Sequence, residues 1–210
     1  MTDIPDGMEQ TPIVELTLPS ARLLADQASV IKDLQFVVAC CDRLLAASKD
    51  ADDVTAEALW SAALIAYARS FATGKRIARL TEADLLTTGL EGEVVEFHRT
   101  VLGLRDKHVA HSVNPFEQVK VGAVLAADSQ PREVQGVAVV AMRHALGDEI
   151  AVRQLHGLAQ AIIRVLSERA TDQQNVVLGE AQTLDVDALY ALPSMRAYAP
   201  GAEQAVRARG

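Results

Sequence analysis

From Leu24 to Leu45, apolar side chains return every three or four residues: Leu24, Ala28, Ile31, Leu34, Val38, Cys41 and Leu45. That rhythm belongs to a helix with one face turned to a core. It recurs down the chain. Leu59, Trp60, Ala63, Leu64, Tyr67 and Phe71 stripe a second helix starting near Val54, and Leu155, Leu158, Ile162 and Val165 stripe a long one running from about Asp148 to Gln174 or beyond. Ser20 is placed to cap the first helix, and Thr81 to open a short one over TEADLLTT. A further helix spans 92–112, and Asn114-Pro115 stops it, because a proline disfavours helical geometry in the residue before it. Two valine-rich runs, Gln118–Ala126 and Glu133–Arg143, flank ADSQPR and predict a β-hairpin at about 117–143. The expected fold is therefore mainly α, an antiparallel helical bundle with one hairpin between the last two long helices. Residues 1–19, with three prolines, are expected to be a flexible arm, 20–192 a single domain, and 193–210 a flexible tail.

Half of the 210 residues are apolar, enough to bury a core, but aromatics are only 4%. Ala, Leu and Val must therefore fill most of that core. Cys40 and Cys41 are adjacent, a spacing that suits neither a disulfide nor a zinc or redox motif. With no export signal visible near the start, the expectation is a reduced protein of the cytoplasm. No apolar run is long enough for a membrane span. A net charge of −8 argues against a protein that coats nucleic acid over its whole surface, and DNA is not an expected partner. The charge is uneven, however. Residues 69–111 carry seven Lys/Arg, six Asp/Glu and three of the five histidines. An anionic ligand is best met there. Arg69, Lys75, Arg76 and Arg79 are local cations that serve either this end or the dipole of the second helix.

Several familiar sites are absent. Thr73-Gly74-Lys75 lacks the upstream glycine and following Ser/Thr of a phosphate-binding loop. There is no G-x-S-x-G elbow and no dinucleotide fingerprint. His108 and His111 are three apart but lack an obvious third metal ligand, so neither a metal nor a cofactor is expected.

The segment EVVEFHRTVLGLRDKHVAHSVNPFE, residues 93–117, is different. On a wheel of about 100° per residue, Val94, Val95, Phe97, Val101, Leu102, Leu104 and Val109 share one broad face. His98, Arg105 and His108 interrupt that face, and His98 and Arg105 lie seven apart on one line. A buried arginine is costly unless it is paired and hydrogen-bonded. Either Arg105 meets a buried carboxylate or snorkels its charge to the rim, or a ligand requires it.

Arg105, Asp106 and His111 match the R-x(4–6)-H signature of the HEPN superfamily, in which a polar residue follows the arginine. The wider string LRDKHVAHS resembles the abortive-infection, AbiU-like branch. What this resemblance implies is a metal-independent endoribonuclease, a toxin or antiphage defence factor, with two copies of the motif facing each other across a homodimer and an antitoxin as a further partner. The residue types suit the chemistry. His111 titrates near neutrality and can move a proton. Arg105 can hold phosphate oxygens, and Asp106 can orient Arg105 or His111. Lys107, His108, His98 and Asn114 are the expected substrate contacts. A required 2′-OH restricts the substrate to RNA. By the same analogy Tyr67 is a modification target; by its place in a helical stripe it is a core residue. The competing expectation is a non-catalytic HEPN-like bundle that binds RNA, a nucleotide or a protein partner. One geometric tension stands: on an ideal helix Arg105 and His111 are about 120° apart.

Overall fold

The computed structural model describes residues 12–47, 53–72, 76–109, 117–127, 131–143 and 148–195. Among them are six α-helices: α1 (Pro19–Ala46), α2 (Asp53–Phe71), α3 (Glu82–Leu86), α4 (Val94–Leu104), α5 (Glu149–Ala181) and α6 (Val186–Tyr190). A single π-helical turn, Arg105–Val109, continues α4. Strands β1 (Glu117–Leu125) and β2 (Val134–Arg143) form an antiparallel hairpin. The chain is mainly helical with one hairpin, as its periodicities require.

Helix α1 is the centre, packed on α2 and α5, while α4 lies on α2 and α3. Its core residues are Val30, Leu34, Val37, Cys40 and Cys41, which differ from the single stripe through Ala28 and Val38. Ala28 is exposed and Val38 half-buried. A helix covered on two sides buries a broader arc than a one-sided stripe, and that arc selects Val37 and Cys40 as well. From α2 come Trp60, Ala63, Leu64 and Tyr67; from α5, Val152, Leu155, Leu158 and Ile162. The small side chains that dominate the composition let the helices approach closely.

The ends of the elements follow local chemistry. Pro19 occupies the first turn of α1, where its missing N–H is no loss. Ser20, expected as the cap, instead gives its hydroxyl to the Glu180 carboxylate. Gln173 Nε2 donates to the Ser20 carbonyl at 3.0 Å. These contacts explain why α5 runs on to Ala181, past the fading of its apolar stripe. Thr81 opens α3 as expected: its N–H and hydroxyl both donate to Asp84 Oδ2, at 2.7 and 2.8 Å. The described parts of the two termini meet. Val14 bridges Ser194, and Met195 N–H donates to the Ile13 carbonyl at 2.6 Å.

Burial pushes the Cys41 thiol up to about 12 and raises Cys40 as well. Thiols at that depth are poor nucleophiles. Native protein is therefore expected to resist iodoacetamide at pH 8 and to take up two equivalents once unfolded in urea; rapid native labelling at either cysteine would contradict the packing of α1. Leu155→Ala, at the α1–α5 contact, should lower stability by about 2–5 kcal/mol in urea titrations.

Candidate functional site at the end of helix four

The rotation of α4 is fixed by a buried cluster. His98 is 2% exposed and Tyr67 fully buried. The Tyr67 hydroxyl lies 2.9 Å from His98 Nδ1. The Phe71 ring is 4.3 Å from the imidazole and 5.0 Å from the Tyr67 ring, between centroids. Burial lowers the His98 pKa, a trend that the Glu82 charge opposes. Burial also raises the Tyr67 phenol far above its ordinary value. The natural pairing is then a neutral phenol donating to a neutral imidazole. His98, expected to touch substrate, is held inside the core, where it orients α4 rather than meeting a ligand from solvent. Tyr67 is equally out of reach of a modifying enzyme, so its place in the stripe prevails over the analogy.

Seven residues on, Arg105 starts the π turn. It does not meet a buried carboxylate. Its side chain is 42% exposed, and among the described residues its acidic partner is its neighbour Asp106, with Nη1 to Oδ1 at 2.7 Å. The line that buries His98 runs out of the core at the end of the bundle, where the guanidinium reaches water. Asp106, which the sequence offers to Arg105 or His111, meets Arg105. Lys107 is exposed. His111 and Asn114 lie outside the described residues, as does the His108 side chain.

The π turn was not foreseen. Its i→i+5 bonding widens the coil, so the ideal 120° offset between Arg105 and His111 does not carry across 105–109. Gly103, a weak helix former one turn earlier, is the local signal that the α-helical ladder is poorly held there. Single π turns of this kind are frequent at functional sites.

Several of the other cations are engaged. Arg69 and Arg76 both reach Asp33, at 3.3 and 2.9 Å, and Arg76 also donates to Ser29 Oγ. Arg99 grips Glu82 through two nitrogens at 2.7 and 2.8 Å, which holds that carboxyl below its usual value. Arg169 pairs with Asp84. Lys75 lies outside the described residues.

At the opposite end of α4, about 16 Å away for an 11-residue helix, lies a cleft of about 400 Å³ that the sequence did not disclose. Glu91, Glu93 and Glu96 line it with Phe97 and Leu158, against one cation, Arg153, which is itself paired with Glu149. A hydrogen bond to Glu96, helped by that residue's charge, raises the Glu93 carboxyl. The only sign in the sequence was the carboxylate spacing in EGEVVE. Its acidity makes it unsuited to a phosphate. Among the described residues no cluster of three or more His, Cys, Asp or Glu could hold a metal ion, and no helix is long and apolar enough to cross a membrane.

Comparisons with protein-family models, with curated proteins and with solved structures give no match to this chain.

Two expectations test this geometry. Tyr67→Phe leaves His98 Nδ1 unpaired and should destabilise the fold by about 1–3 kcal/mol. His98 binds its proton less tightly when folded than the ordinary 6.5. Its contribution is thus complete above pH 6.5 and is lost as pH falls through that value toward the lowered folded one. Urea midpoints of wild type should decline over that window, and His98→Gln should flatten the decline. An unchanged slope in His98→Gln would assign it elsewhere.

Proposed function

We propose that the protein is a metal-independent endoribonuclease of HEPN type, with Arg105 at its reacting centre. The observation that carries this reading is the half-exposed guanidinium at the head of a π turn, held by Asp106 alone among the described residues. An arginine retained only for stability would meet a buried partner or carry its charge to the rim; this one reaches solvent beside a carboxylate that orients it, where a phosphate can meet it.

In the proposed reaction the ribose 2′-oxygen attacks the adjoining phosphorus while a base removes its proton. The bond from phosphorus to the 5′-oxygen breaks, and that oxygen takes a proton. The products are a 2′,3′-cyclic phosphate and a 5′-hydroxyl. Arg105 holds the non-bridging oxygens as their charge grows. Asp106 keeps the guanidinium in place, and His111 moves the protons. Lys107, His108 and Asn114 contact the backbone of the RNA. The resemblance extends to a homodimer, an antitoxin partner and a toxin or defence role. Growth arrest on induced expression, relieved by Arg105→Ala, is the readout for the last of these.

A second reading, a bundle that binds RNA, a nucleotide or a protein partner without cutting, draws support from the Arg105–Asp106 pair itself, which half-neutralises the cation in the resting state.

The test is cleavage of single-stranded RNA in EDTA. Wild type should cut, and Arg105→Ala and His111→Ala should each reduce the rate by about 100-fold or more. Arg105→Ala should shift stability by less than about 1 kcal/mol, because an exposed pair contributes little. Cutting that persists in both variants removes the motif from the chemistry. Binding without cutting in wild type selects the second reading.

A further inference from the structure

The hairpin has an apolar face that no described helix covers. Its register pairs Val119 with Ala141, Val121 with Val139, and Ala123 with Val137. These six side chains share one face, since alternate residues of a strand point the same way and paired residues point together. None is polar. Val119, Val121, Val137 and Val139 are 66–73% exposed. The opposite face is less apolar: Lys120, Gly122 and Val124 face Val140, Ala138 and Gly136, so that it carries a charge and two glycines beside its two exposed valines.

An isolated two-stranded ribbon is at best marginally stable in water. A block of four exposed valines adds a further penalty, and large apolar patches mark interaction surfaces. The valine face exposes roughly 500 Å², so pairing two of them buries about 1,000 Å², the size at which specific contacts begin.

We propose that the occupant of this face is the same face of a second copy, the two hairpins stacked about a two-fold axis near the Val121–Val139 pair. Sheets packed this way sit about 10 Å apart. Charge selects this occupant. The chain is −8, yet residues 117–143 hold three basic and three acidic side chains, a balance of zero. Two acidic copies repel least there. An anionic lipid surface or a nucleic acid would need a basic rim, which the hairpin lacks. A different protein would need polar features on the face to be told apart from others. A surface made only of Val and Ala offers none, but it can pair with itself, as an isologous contact requires. The inference rests on the hairpin and not on the RNA reading, and either can fail alone.

The experiment is the mass of the full chain by light scattering and sedimentation, with wild type expected to be a dimer at micromolar concentration. Val121→Lys and Val121→Glu should each be monomeric with unchanged helical circular dichroism. Mixing the two should restore a dimer, because the opposite charges meet across the axis. Lys120→Glu, on the other face, should stay dimeric. The proposal is overturned by a wild-type monomer, alone or floating with neutral phosphatidylcholine vesicles, and equally by charge variants that remain dimers with their helical signal intact.

Discussion

The hydrogen bond between Tyr67 and His98 is the constraint on which the site depends. Two polar groups in a core built from Ala, Leu and Val satisfy each other, and they do so across the α2–α4 contact. Apolar packing alone would tolerate small rotations of α4, since one valine replaces another at little loss. A buried phenol and imidazole do not tolerate them, because slippage leaves both unpaired in a medium without water. With α4 held at that angle, the line through His98 emerges from the core at Arg105. The guanidinium is exposed because of where the helix ends, not because its face of the helix is polar.

The same logic shows how much was legible in the residues. The 3–4 rhythm identified the helices, the valine runs identified the hairpin to within a residue or two, and Thr81 with Asp84 identified the start of α3. These signals are local. What could not be read depended on partners distant in sequence. The buried arc of α1 includes Val37 and Cys40 because α1 is covered on two sides. The far end of α5 persists because Gln173 and Glu180 find Ser20. For the site, the wheel correctly put His98 and Arg105 on one line, but no wheel shows where a core stops. Burying one and exposing the other took the tertiary arrangement, and the π turn had only Gly103 to announce it.

Charge is distributed by the same economy of partners. The cations gathered over 69–111, seven against six carboxylates, suggested where an anionic ligand is best met. Three of the seven instead bind carboxylates of neighbouring elements: Arg69 and Arg76 to Asp33, and Arg99 to Glu82. They join α1 to the end of α2, and α3 to α4, and leave a surface on which positive potential is local. A long anionic ligand is therefore not drawn in by a general field. On the proposed reading, recognition then falls to a short stretch, Arg105 and the residues after it.

That condition makes the pairing of Arg105 with Asp106 informative. The pair is solvent-exposed and bound through one nitrogen, so its dissociation is nearly neutral in free energy. A phosphate presents two oxygens in the geometry of the guanidinium fork, and two charge-assisted hydrogen bonds outweigh the one replaced. In the proposed function Asp106 would thus act less as a competitor than as a holder. It would keep a long side chain in a few conformations and lower the ordering penalty when an anion arrives. The acidic cleft at the other end of α4 works in the same direction, since its carboxylates repel phosphate from that end of the helix. One short helix, locked by a single buried hydrogen bond, therefore presents opposite electrostatic preferences at its two ends.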